Sequence, residues 1–175
     1  MRYKMENWYV IRTSYGNEEA IKELLELHGF AVKLLWREFF FKRQGKTVKM
    51  KKPLYPDYLF IVSELDYVSL QNQLIMIKSQ CSKPFSIIEY KDRTVPALTE
   101  SEIEYIKHLC GEEDIVKVSE GYIEGDKVII TEGPLLGLES TIVHVNRHKR
   151  IARITMDILG GQREIVVPLE IIYKR

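Results

Sequence analysis

The chain has 175 residues, 45% of them apolar and 29% charged, with a formal net charge of +1 at pH 7. That composition is globular and leaves room for one domain or two small ones. It excludes a uniformly basic, histone-like protein, and no run of about 18 apolar residues is present to span a membrane. Residues 1–13 hold no apolar stretch ahead of a small-residue cleavage site, so no secretory signal is read. The two cysteines, Cys81 and Cys110, match no motif and read as reduced structural thiols, as in a cytoplasmic protein.

In chain order, "WYVIRT" is a short strand of β-branched and aromatic residues. "YGNEEAIKELLELHGF" is a helix. Gly16 or Asn17 caps its start, Glu18 and Glu19 favour its first turn, and Gly29 ends it. Ala20, Ile21, Leu24, Leu25 and His28 form its buried stripe, with Glu18 and Lys22 as an i,i+4 pair. Residues 30–56 have strand composition broken at Gln44-Gly45, which predicts a hairpin arm. "DYLFIV" is the next strand. Its side chains alternate, putting Tyr58 and Phe60 on one face and Leu59 and Ile61 on the other. Both faces are apolar, so both need cover. A helix follows at 67–76, then a strand and loop over 84–98. A further helix opens with a capping box of Thr99 and Glu102 and buries Ile103, Ile106 and Leu109.

Composition changes after Cys110. Residues 113–120 are acidic, weakly periodic and linker-like. Beyond them come short β-branched runs, with turn signals at Gly133-Pro134, Asn146-Arg147 and Gly160-Gly161, a spacing that predicts a small all-β barrel. The expectation is an α+β domain over 1–112, with an antiparallel sheet flanked by helices, then a linker over 113–120 and a barrel over 121–175.

No catalytic signature is present: no phosphate loop, no GxSxG, and four dispersed histidines. His144 and His148 flank a predicted turn without a cysteine nearby, which does not make a metal site. Neither an enzyme nor a cofactor is expected. Two basic patches stand out. The arm carries Lys42, Arg43, Lys46, Lys49, Lys51 and Lys52 after Phe39, Phe40 and Phe41. Its lysines either guard the hairpin edge against aggregation or lie against nucleic-acid backbone, with Lys42, Arg43 and Lys46 as candidates. In "NRHKRIAR", Arg147, His148, Lys149, Arg150 and Arg153 crowd a turn. Arginine forks match phosphate and stack on unpaired bases.

Together these stretches resemble the NusG family of transcription elongation factors. "WYVIRTSYGNEEAIKELL" is similar to the family's opening, "LYPDYLFI" to its "FPGYVLV", and "GDKVIITEGPLLGLESTIVHV" to the start of its C-terminal KOW module. Asp57 stands in place of the usual glycine and Ser140 in place of the third KOW glycine. These departures point to a specialised paralogue of the RfaH or LoaP type. The basic turn most resembles LoaP, a processive antiterminator that recognises an RNA hairpin in a leader transcript.

The resemblance implies an α+β domain followed by a KOW barrel, and a mechanism of binding. The strand's aromatic face would dock on the clamp helices of the largest RNA polymerase subunit through Tyr55, Pro56, Tyr58 and Phe60, with Tyr9, Arg12 and Phe85 as further members. Arg147, His148, Lys149, Arg150 and Arg153 would read a structured leader RNA. Non-template DNA is a further candidate partner, and a monomer is expected. The alternatives are a general NusG-type factor whose KOW module binds a termination factor or ribosomal protein, and a ribosome-associated KOW RNA-binding protein. Gly133-Pro134, Gly137, Gly160-Gly161 and Pro168 oppose the helical form that RfaH-like relatives can adopt in this segment.

Overall fold

A computed structural model describes residues 6–90 and 96–174. The first elements are β1 (Asn7–Thr13), α1 (Glu18–Leu27), β2 (Ala31–Lys33), β3 (Trp36–Arg43), β4 (Lys46–Pro53), β5 (Tyr58–Ser63), α2 (Tyr67–Ser79) and β6 (Phe85–Ile87). They are followed by α3 (Glu100–Cys110), β7 (Ile115–Val116), β8 (Ser119–Glu124), β9 (Lys127–Glu132), β10 (Ile142–Asn146), β11 (Ile151–Ile158) and β12 (Gly161–Lys174). Contacts divide the chain into two compact units, Met1–Leu34 with Pro56–Ile103, and Leu35–Tyr55 with Glu104–Arg175. The arm thus groups with the C-terminal segment rather than with the residues on either side of it. No helix among the described residues is long and apolar enough to cross a membrane.

The first unit is built on an antiparallel sheet in the order β2-β5-β1-β6. β1 and β5 are interior strands, and Val10, Ile11, Leu59, Phe60 and Ile61 are all fully buried. α1 turns Ile21 and Leu25 into the core. His28 does not extend the stripe. It is the C-cap and lies exposed, with Nδ1 2.8 Å from the Leu24 carbonyl oxygen. Gly29, at φ 86°, takes the chain out of the helix. Lys22 pairs with Glu26 at 2.6 Å. Glu18 is buried instead, and its carboxylate accepts the Asp57 N–H at 3.0 Å. The capping box forms: the Thr99 N–H donates to Glu102 Oε2 at 2.7 Å, and the Glu102 N–H to Thr99 Oγ1 at 3.3 Å. Of the loop expected within 84–98, residues 91–95 lie outside the described residues.

Asp57 holds a backbone conformation that suits glycine. Its φ is 73°, a left-handed conformation that costs an L-residue about 1–2 kcal/mol. Its Oδ1 is also buried with no hydrogen-bond partner among the described residues. Both costs vanish in Asp57→Gly, while the backbone bonds to Glu18 and Thr13 remain possible. The substitution should stabilise the chain by about 1 kcal/mol after glycine's own entropy cost. A urea titration reads this directly, and a lower midpoint would contradict it.

In the second unit, β3 and β4 form the expected arm. Gln44 and Gly45 hold φ of 51° and 78°, the two positive values that a two-residue hairpin turn requires. Residues 113–120, expected as a linker, contain β7 and the start of β8. β7 pairs in parallel with β3, Trp36 opposite Ile115, and Val116 is fully buried. The acidic residues before it mask this short apolar pair. The Val118 N–H donates to the Glu38 carboxylate at 2.9 Å.

The remaining strands pair in the order β10-β11-β12-β8-β9. β12 serves two partners in turn: Gly161 to Pro168 pair antiparallel with β11, and Leu169 onward runs parallel to β8. Pro168 sits at the change, where its missing N–H costs no ladder bond. Ala152, Ile154, Ile158, Val167 and Leu169 fill the core beneath. No ladder joins β9 to β10 among the described residues. The region is therefore sheet-rich, without the closed barrel that was expected, and it is stranded rather than helical.

Candidate nucleic-acid interface

The basic turn is locked by its own backbone. β10 ends at Asn146, paired with Ile151 at the start of β11. Asn146 Oδ1 accepts the Lys149 N–H at 3.0 Å, and the Arg150 N–H donates to the Arg147 carbonyl at 3.2 Å. Asparagine favours such side-chain-closed turns. Arg150 takes the left-handed step, at φ 52°. Arg147, His148 and Lys149 are left exposed. Arg150 is half-buried, its guanidinium 4.6 Å from the Phe40 ring centroid and its Nε 3.5 Å from Glu170. Arg153 lies off the turn on β11, with Nη1 3.4 Å from Glu164, so part of its charge is balanced.

The arm meets this turn within the second unit. A cavity of about 510 Å³ is lined by Arg37, Phe39, Phe40, Lys42 and Lys52 from the arm, and by residues 147–151. Phe40 packs against Arg150, and Lys52 Nζ lies 4.8 Å from the Phe39 ring centroid. Arg43 and Lys46 close the arm's tip as an exposed pair and do not line the cavity. Lys49 is engaged with Glu38 at 3.5 Å.

Arg37 was not visible as a candidate in the sequence. It is 8% exposed, and its Nη1 makes no hydrogen bond among the described residues. It stands directly opposite Lys52 in the hairpin register. Burial lowers the Arg37 pKa. Burial, and then the charge of Arg37, lower that of Lys52. The signal that could have found it is the turn: once Gln44-Gly45 fixes the register, Arg37 must face Lys52.

The residues expected to dock on a partner separate into three places. Arg12 pairs opposite Tyr58 on one face of the β1–β5 ladder. Phe60 shares that face, its ring centroid 6.3 Å from that of Trp8. Tyr9 and Phe85 belong to the other face by register. Tyr9 is fully buried with its hydroxyl donating to the Leu65 carbonyl at 2.9 Å, and Phe85 is buried with Lys78 Nζ 5.4 Å from its centroid. Tyr55 belongs to the second unit, buried, with its hydroxyl on Met156 Sδ at 2.8 Å. The accessible members are Arg12 and Pro56, which are exposed, and Tyr58, which is half-buried.

The family model described as transcription termination factor nusG matches residues 6–107. The chain belongs to the NusG family. The match takes in β1, the arm and β5, while the 147–150 turn lies beyond it. Among relatives, the transcription termination/antitermination protein NusG of Rickettsia felis is 29% identical over 167 residues, covering 89% of this chain and 83% of that protein. The protein of the same name from Thermus thermophilus is 27% identical over 176 residues, covering 93% and 94%. A solved structure described as "Domain interaction in Thermotoga maritima NusG" aligns with 95% of this chain and 94% of that one, at 22% identity and a TM-score of 0.45.

Proposed function

We propose that this NusG-family chain is an elongation and antitermination factor of the specialised LoaP type. In this reading, the first unit binds RNA polymerase through Arg12, Pro56 and Tyr58, with Phe60 beneath them as support. The C-terminal sheet is a KOW module beginning near residue 121, and its basic turn reads a structured leader RNA. Recruitment by that RNA would direct the factor to particular transcripts. The observation that carries the reading is the locked turn, which presents Arg147, His148 and Lys149 to solvent on two paired strands. A pre-formed turn loses little conformational freedom on binding.

The test uses the whole chain and a labelled hairpin RNA. Affinity should fall with salt, and Arg147→Ala with Arg150→Ala should flatten the log–log slope by about 1.4, at roughly 0.7 per lost phosphate contact. A double variant that binds as the parent does would end the RNA reading. Polymerase binding is scored separately. Tyr58→Ala should weaken co-purification with polymerase about tenfold or more, as truncated interface aromatics do, without unfolding the chain.

A further inference from the structure

The arm and the turn form one groove, and its chemistry asks for a ligand. Arg37 and Lys52 are like charges placed directly opposite each other on paired strands, an arrangement that destabilises a hairpin on its own. Neither has an ion pair among the described residues, and Arg37 Nη1, buried at the groove, lacks a hydrogen-bond partner there. A buried cation without an anion costs free energy that a bound anion would return. Lys42, Arg147, Lys149 and Arg150 line the same cavity. Two rings also line it: Phe39, beneath Lys52 Nζ on the hairpin face that carries Arg37, and Phe40, beneath Arg150 on the other face.

We infer that this groove binds an unpaired stretch of nucleic acid, with a phosphodiester group held between Arg37 and Lys52 and bases further along the strand stacked against Phe40 and Arg150. Cations spaced along a groove follow a phosphate backbone, and aromatic rings stack bases with little regard to sequence. The inference rests on the proposed RNA role of the turn and extends it. The turn and the arm act as the two walls of one site, so the hairpin RNA's unpaired flank or loop is gripped rather than its stem alone. Arg37 is the anchor because its guanidinium is already buried and held by the strand.

Fluorescence anisotropy of the full chain tests this with an oligouridylate of about 12 nucleotides, within the usual site size for single strands. Six cations in contact would give a log–log salt slope near −4, against about −2 for the turn's three alone. Lys42→Gln with Lys52→Gln changes two exposed side chains and should flatten the slope by about 1.4, raising Kd about tenfold at moderate salt. Phe40→Leu should weaken binding about tenfold without changing the slope. Lys127→Gln, on β9 away from the groove, is the control and should change nothing. An oligothymidylate bound equally well would assign the site to phosphodiester in general, while a preference for oligouridylate would assign it to transcript; both support the groove. If the lysine pair binds as the parent does while Arg147→Ala with Arg150→Ala is weakened, the groove is wrong and the turn alone binds. If neither variant differs from the parent, the RNA role of the turn fails as well. An oligoglutamate that displaces the strand at equal charge would overturn the inference and assign the groove to an acidic protein segment.

Discussion

Replacing Phe60 with alanine should cost the chain about 3–5 kcal/mol of stability, the range for emptying a buried aromatic site. The ring is fully buried on an interior strand, flanked by β1 and β2. Val10 lies directly opposite it, and Trp8 lies diagonally across with its centroid at 6.3 Å. Neither flanking strand can follow a missing ring inward without losing its ladder, so the site collapses poorly. Domains of this kind have roughly 5–15 kcal/mol in total, and the variant would sit near the edge of folding. A urea titration followed by tryptophan fluorescence reads the loss, since Trp8 reports on the same face. The result also decides how docking can be tested. Serine or alanine at Phe60 would abolish the proposed polymerase binding merely by unfolding the unit, whereas Tyr58→Ala removes a half-buried side chain. A Phe60→Ala chain that loses less than about 1 kcal/mol yet fails to bind polymerase would make Phe60 an interface residue and refute its place in the core.

Periodicity made the first unit legible. The "WYVIRT" strand, the first helix and the Thr99–Glu102 capping box all follow from local rules, and each forms near its expected bounds. His28 escaped because helical spacing does not say where the helix stops; Gly29 ends it before that position turns inward. Phe60 escaped for a different reason. Alternation gives the face of a side chain, but whether that face is covered depends on elements distant in sequence. The pairing of Ile115 and Val116 with β3 is likewise non-local and is hidden by acidic neighbours. The two basic patches were legible as charge runs about a hundred residues apart in sequence. Their convergence on one cavity depends on the tertiary path of the arm, which no local pattern encodes. Arg37 was the least visible residue of all. An isolated arginine in an aromatic strand carries no motif, and only its burial opposite Lys52 marks it.

Gly133→Ala should cost about 2–5 kcal/mol, and the comparison with Gly137→Ala separates its causes. Both glycines hold positive φ, 98° and 82°, so an alanine at either pays about 1–2 kcal/mol for the left-handed conformation. At Gly137 nothing lies within 4 Å of the added methyl. At Gly133 that methyl would stand 2.6 Å from Ser119 Cα and 2.9 Å from the Val118 carbonyl oxygen. These are backbone atoms at the start of β8 and cannot swing aside as a side-chain tip can. Relief requires the 133–137 turn to move away from β8. That strains the bond in which the Leu135 N–H donates to Ser119 Oγ at 3.0 Å, and it unseats Leu135, which is fully buried. Overpacking of this kind costs about 1–3 kcal/mol beyond the φ term. Thermal denaturation of both variants beside the parent should therefore place Gly137→Ala between the parent and Gly133→Ala. The 147–150 turn hangs from β10 and β11 rather than from β8, so at temperatures where Gly133→Ala remains folded the RNA affinity proposed for the turn should match the parent's. Equal destabilisation by the two alanines would mean that the close approach of the turn to β8 does not constrain this region, and the left-handed backbone alone would account for both glycines.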